Sequence, residues 1–297
     1  MTKLSFSVLS FTLLFVITTY AAEPDTVKHW KTKGENNIGF AQLALNNWAA
    51  GGENSLAVNS LFNYFADYHK NKFTWNNFAG FGYGVQKQES FSNWRKTDDR
   101  IELMTKAGIY AARHWDYTAL INFKTQFSKG YKYVSSDERI FLSQFLAPGY
   151  LQFAVGMEYK PAEFFSLLLS PIGSRVTIVN HDSLSDAGAY GVDPGNKTLT
   201  QLGGSINAMF KKDLVKNVNL FSKLGLFSNY LKNPECIIVN WENTLSLKVN
   251  KYISTTIGTN LIYDDNINLI DKNGNNIGPG TQFKETFTVG FSYNFAK

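Results

Sequence analysis

TVGFSYNF, residues 288–295, stands two residues short of the end of a 297-residue chain. Together with Phe287 it sets Phe287, Val289, Phe291, Tyr293 and Phe295 against Thr288, Gly290, Ser292 and Asn294. Alternation of this kind marks a β-strand with one apolar face, because successive side chains point to opposite sides of a pleated sheet. Two architectures end on such a strand: a water-soluble sandwich with an ordinary edge, and a membrane barrel whose last strand closes the wall.

The same period runs back through most of the chain. Ile101, Leu103, Thr105, Ala107 and Ile109 alternate with Arg100, Glu102, Met104, Lys106 and Gly108. The next run sets Trp115, Tyr117, Ala119, Ile121 and Phe123 against Asp116, Thr118, Asn122 and Lys124. Comparable runs occupy 56–68, 73–85, 151–159, 202–210, 218–226, 237–249 and 253–263. Two less regular strands, about 36–45 and 163–171, bring the expected count to twelve. Over the regular runs the apolar parity carries no Asp, Glu, Lys or Arg, although 18% of the chain is charged. A sandwich tolerates Lys or Arg at the ends of its buried face, whereas a charge facing lipid costs about 2–4 kcal/mol at mid-depth.

The gaps between runs alternate in length. Long ones at 46–54, 88–98, 129–148, 172–199, 231–236 and 264–282 are separated by short ones at 70–72, 112–114, 161–162, 212–217 and 250–251. Antiparallel strands return the chain to the same end of the sheet at every second connection, so loops of one length class share one end. Outer-membrane barrels have this asymmetry, with short periplasmic turns and long extracellular loops. Aromatic residues flank both ends, Tyr68, Trp75, Trp115, Tyr159 and Tyr252 beside the short gaps and Tyr83, Tyr150, Tyr230 and Tyr263 beside the long ones. Rings of this kind suit the two membrane interfaces. The fold class expected is therefore all-β, a transmembrane antiparallel barrel of about 12 strands. A sheet in lipid must close on itself, which is why the chain finishes on its alternating strand.

The first residues fit an exported protein. Lys3, an apolar run from Leu4 to Thr19 and then Tyr20-Ala21-Ala22 read as a signal peptide over 1–21, cut after Ala21. A periplasmic N-terminal segment over 22–35 and a barrel over 36–297 complete the expected organisation. Mean hydropathy is −0.20, with no long apolar block after the leader, so membrane helices are not expected. Cys236 is the single cysteine and has no partner within the chain, so no disulfide holds the fold. A formal net charge of +5, without a basic run, gives no reason to expect nucleic acid as a partner.

Several stretches are distinctive: NWAAGGENS at 47–55, WRKTDD at 94–99, FKTQFSKGY at 123–131, FLAPGY at 145–150, DAGAYGVDPGNK at 186–197 and LIYDDN at 261–266. Together they resemble an uncharacterised family of outer-membrane β-barrel proteins from Bacteroidota, known only as a domain of unknown function. The resemblance implies a location and a fold; it carries no activity or catalytic residue. Thr288, Gly290, Tyr293 and Phe295 also resemble the C-terminal signal read by the outer-membrane assembly machinery, although Ala296 and Lys297 follow where many such chains stop.

The charges on the polar parity are the candidate functional residues. Arg100, Glu102, Lys106, Lys124, Lys223 and Glu242 fall nearest mid-barrel or its outer half, and Asp67, Asp116, Glu158, Lys160, Lys211 and Lys248 share their parity. They line either a water-filled, weakly anion-preferring pore or a narrow lumen plugged by mutual pairing. Barrels of about 8 strands are filled by side chains and those of about 16 to 18 leave a channel, so a twelve-stranded barrel lies between.

His181-Asp182-Ser183 is similar to the paired His and Ser of outer-membrane phospholipases, but no third group is evident to orient the base, and an ordinary polar turn is expected. Asp271-x-Asn273-x-Asn275 starts like a calcium loop, yet Gly274 is misplaced and Gln282 stands where a bidentate Glu is needed, so a turn is expected there too. The other histidines are scattered, and nothing calls for a metal or a cofactor. The function expected is a small channel or a barrel subunit of an envelope complex in the outer membrane of a Gram-negative bacterium, with both termini periplasmic. Outer-membrane lipids, the assembly machinery and other envelope proteins are its expected partners. An outer-membrane hydrolase acting on lipid or peptide, or a soluble periplasmic β-protein, are the alternatives.

Overall fold

The structure is a computed structural model that describes residues 29–45, 53–91, 93–134, 138–250, 252–271 and 275–296. The signal peptide expected at 1–21 lies outside them. Sixteen strands form among the described residues. The first five are β1 (Trp30–Leu43), β2 (Ser55–Lys70), β3 (Phe73–Gln88), β4 (Arg95–Ala112) and β5 (Trp115–Thr125). A hairpin of β6 (Gly130–Tyr133) and β7 (Arg139–Ser143) follows, then β8 (Gly149–Ala162), β9 (Phe165–Ile178), β10 (Thr198–Val215) and β11 (Val218–Asn229). The chain continues through β12 (Ile237–Lys248) and β13 (Ile253–Tyr263), a hairpin of β14 (Asn268–Ile270) and β15 (Asn276–Pro279), and β16 (Gln282–Ala296).

Twelve of these strands close into one antiparallel barrel, in the ring order β1, β16, β13, β12, β11, β10, β9, β8, β5, β4, β3, β2. The two small hairpins lie in the long loops, outside the wall. Short turns connect the strands at one end, and two of them turn on an asparagine with positive φ, Asn71 at 53° and Asn217 at 66°. Asparagine tolerates the left-handed region that tight hairpin turns require. An even strand count brings the start of β1 and the end of β16 to this same end.

The barrel begins at Trp30 and not at residue 36, so the segment expected over 22–35 overlaps β1. The extension has a use, because Trp30 packs on Tyr68 and Trp75 with ring centroids 5.1 and 5.6 Å away, building the aromatic belt of the short-turn end. β9 also runs further than expected, to Ile178 and not 171, so Val176 and Ile178 belong to the wall and not to the loop. Between Leu169 and Ile172 the register with β8 shifts. Pro171, which has no N–H to give the ladder, sits at this bulge, where proline is tolerated in a sheet. The extra residue reverses the parity: Leu168 points inward before it, and Ile172 is outermost after it, 74% exposed.

Burial is inverted relative to a soluble protein. Glu102, Glu158 and Lys106 are buried, while Leu103, Ile121, Phe153, Trp241 and Phe287 are exposed on the outer wall. Charges inside and aliphatic or aromatic groups outside are the pattern of a barrel whose surroundings are hydrocarbon. No helix of the described chain is long and apolar enough to cross a membrane.

Candidate functional site

The lumen holds the chemistry, and its groups are stacked in layers. Nearest the short-turn end, Lys211 on β10 meets Glu35 on β1 at 3.3 Å and lies 3.7 Å from the centroid of the Phe65 ring on β2. Phe65, Phe78 on β3 and Phe221 on β11 then form a cluster, with ring centroids 5.1, 5.9 and 6.4 Å apart. β3 and β11 are six steps apart in a ring of twelve, so Phe78 and Phe221 meet across the full width of the barrel. Gly80 makes this possible, since a Cβ there would crowd the Phe78 ring.

Above the rings lies a network of five charges. Glu102 and Lys124 are cross-strand neighbours on β4 and β5, and Lys223 and Glu242 are cross-strand neighbours on β11 and β12. The two pairs interlock across the lumen: Arg100 Nη1 and Lys124 Nζ each donate to Glu242 at 2.8 Å, and Lys223 Nζ donates to Glu102 at 2.5 Å. Glu102 is 1% exposed, so its partners are what make its ionised form tolerable. Lys106 stands apart from this network and pairs with Glu158, which Lys160 also reaches at 3.0 Å. The six charges singled out in the sequence thus divide into a network of five and one member of a second cluster. Asp67 accepts from Asn76 Nδ2 at 2.7 Å.

The barrel encloses a cavity of about 1290 Å³ that reaches from the long-loop end past the midpoints of β4 and β9, to Lys106 and Ser166. Arg100, Lys124, Lys223, Glu102 and Glu242 line it, with Lys106 nearer the short-turn end, and none of the three rings lies in its lining. Loops cover its other end. Ala147, Val179, Leu184 and Val192 form a small apolar core there, with Phe141, Tyr190 and Leu199 packed on it. The Tyr190 hydroxyl donates to Leu142 O at 2.7 Å, and burial pushes its phenol pKa up. Lys132 donates to Ile270 O, joining the β6–β7 hairpin to the β14–β15 hairpin. Loop residues Ser183, Leu184, Ala189 and Tyr190 face the cavity, so this loop roofs the lumen.

Several groups escaped the sequence reading. Arg175, turned inward by the bulge, donates to Asp264 Oδ2 at 2.6 Å and lies 4.6 Å from the Tyr150 ring. Tyr150 therefore lines the lumen and does not join the outer aromatic belt expected of it. Asp99 accepts from the Phe127 and Ser128 amides and pairs with Lys96 at 2.8 Å, fastening the rim beside β5.

His181 precedes a short helix, α1 (Asp182–Asp186), and its Nδ1 lies 3.0 Å from Ser183 Oγ. Its ring packs on Phe141 at 4.6 Å, while Asp182 is engaged by Lys197 at 2.8 Å and does not orient the imidazole. Asp271 accepts from the Asn275 amide at 2.8 Å, while Asn273 and Gly274 of the expected turn lie outside the described residues. At the C-terminal strand, Thr288 Oγ1 accepts from Asn59 Nδ2 at 2.7 Å and Gly290 pairs with Gly39. Tyr293 is exposed on the outer wall, and Phe295 covers Gly34, where a Cβ would overlap its ring.

The fold is that of an outer-membrane β-barrel. Among solved structures it is similar to the translocator domain of autotransporter NalP from Neisseria meningitidis, at 11% identity and a TM-score of 0.37, covering 92% of this chain and 90% of that one. It is also similar to an outer membrane channel from Pseudomonas putida F1, at 8% identity and a TM-score of 0.38, covering 93% and 100%. The toluene transporter TodX from Pseudomonas putida matches at 6% identity and a TM-score of 0.28, covering 90% and 88%. No curated protein matches the chain. Residues 40–131, which hold NWAAGGENS, WRKTDD and FKTQFSKGY, match the family described as "Protein of unknown function (DUF3078)".

Proposed function

We propose that the chain is an integral barrel of the bacterial outer membrane, with both ends on the periplasmic side, whose lumen is a chamber and not a continuous pore. The contact of Phe78 with Phe221 across the barrel carries this reading, because side chains meeting from opposite walls bar the middle of the lumen, and the buried Glu158 and Thr118 fill the wall beside them. The interlocked charges above the rings support it, since an open aqueous pore gives ion pairs little reason to span its diameter. A barrel of this kind holds a small molecule in its lumen or serves as the membrane subunit of an envelope complex, assembled through its terminal strand.

Reconstitution tests the reading. The purified protein in planar bilayers is expected to show no steady open-channel conductance while running on unheated gels as a compact, heat-modifiable barrel. A stable, ohmic conductance from that folded species would overturn the chamber.

A further inference from the structure

The junction between β1 and β16 differs from the rest of the wall. Its register runs from Lys33 paired with Ala296 to Gly39 paired with Gly290 and then stops. Beyond it Phe40 to Leu43 pair with β2, and Gln282 to Val289 pair with β13, but the two strands do not pair with each other. Among the described residues this is the one barrel junction where both strands run on past their last pair by more than a single residue. Backbone groups left unpaired in hydrocarbon are costly, so such a gap is not expected in a wall that only has to be inert.

A side-chain bond stands where the backbone ladder ends. Asn59 on β2 reaches over Gly39 of β1 and donates to Thr288 Oγ1 of β16 at 2.7 Å. Only glycine permits that reach, since a Cβ at Gly39 would overlap both Asn59 and Thr288. Behind this bond lies a cavity of about 90 Å³ lined by Asn37, Thr256 and Thr286. It shares Leu61, Asp98 and Thr286 with the large chamber, so the chamber extends to the inner side of the gap. On the outer side Phe40, Phe283 and Phe287 are exposed.

We propose that the seam beyond Gly39 and Gly290 is a lateral portal between the outer leaflet and the chamber, latched by Asn59 and Thr288, and that it passes a single-chain amphipath with an anionic head, such as a long-chain fatty acid. The proposal rests on the membrane-barrel reading above. The chamber's chemistry fits this class at both ends of the molecule. Three cations, Arg100, Lys124 and Lys223, face two carboxylates, Glu102 and Glu242, in its lining, leaving an excess of positive charge for the head. Phe227, Ile238, Ile262 and Met209 give its wall an apolar stretch for the chain. The rings close the route from below and the loop core covers much of the route from above, whereas the gap faces the acyl chains directly.

Full-length protein with Cys236→Ser, in lipid nanodiscs, is assayed for uptake of the fluorescent fatty acid cis-parinaric acid. Gln42→Cys with Phe287→Cys places a disulfide where the register would continue, and Ile38→Cys with Phe291→Cys places one in the paired half. Saturable uptake is expected in the parent, to be stopped by oxidation of the upper pair, restored by reductant, and untouched by the lower pair. If the upper pair resists oxidation, Asn59→Ala decides, with faster uptake expected. No saturable uptake by the parent, unchanged uptake in the locked protein, or unchanged uptake in Asn59→Ala overturns the portal. Heat-modifiable mobility of the same samples reads the barrel independently, so the portal can fail while the membrane barrel stands.

Discussion

Phe78 and Phe221 stand on opposite walls of the barrel, on β3 and β11, with their ring centroids 6.4 Å apart. Neither ring spans the lumen alone; the bridge is a property of the pair. Phe78→Ala combined with Phe221→Ala should therefore open the floor and produce measurable single-channel conductance in planar bilayers, with either single change giving less. Gly80→Val should leak as well, although it removes no aromatic group, because the new side chain occupies the space into which the Phe78 ring leans.

The charge network predicts an asymmetry in stability. Removing one member of a buried pair strands the other, which typically costs about 3–5 kcal/mol. Glu102→Gln should have a cost of that size, since it leaves Lys223 and Lys124 short of a carboxylate at a site almost without solvent. Asp98→Asn breaks a pair with Lys284 whose side chains are 29% and 47% exposed, and should cost no more than about 1 kcal/mol. Urea unfolding of the barrel in phospholipid vesicles, followed by tryptophan fluorescence, measures both. Equal costs would mean that the network is well hydrated.

The outer wall predicts the reverse response. Leu103 and Ile121 are exposed at mid-strand, where an arginine facing hydrocarbon should cost about 2–4 kcal/mol. Leu103→Arg and Ile121→Arg should each destabilise the vesicle-embedded barrel by that amount. In a soluble protein the same changes at exposed positions would be nearly silent, so the experiment separates a wall covered by lipid from one covered by water.

Period-two alternation made the wall legible in the sequence, because a strand's faces are encoded residue by residue. It supplied the strand count, the sorting of loops by length and the inward face of Glu102, Lys124, Lys223 and Glu242. What it did not supply was who meets whom. Parity assigns a side chain to a face, but Arg100 reaches Glu242 through strand tilt and ring closure, which bring β4 opposite β12. The reading also stopped at Pro171, since a bulge reverses parity and a template of fixed phase sees the end of a strand; Arg175 was lost with it. Glu35 was missed for a different reason. Gly34 and Asn36 interrupt the apolar face of β1, so the strand's first half lacks the alternation that would have announced it.

Gly34 leads to the last prediction. It pairs with Phe295, and the Phe295 ring lies over it on the outer wall. The ring fills the place where a side chain on β1 would stand, so the penultimate described residue of the chain covers bare backbone at the closing seam. Gly34→Val should displace the ring without touching the C-terminal strand, and Phe295→Ala should uncover the backbone while leaving Gly34 intact. If Phe295 matters through this packing, both variants should lower the yield of heat-modifiable barrel when the purified, unfolded chain refolds into vesicles. If it matters only as a residue recognised during assembly in the cell, both should refold normally in vitro, and Phe295→Ala alone should fail to reach the outer membrane.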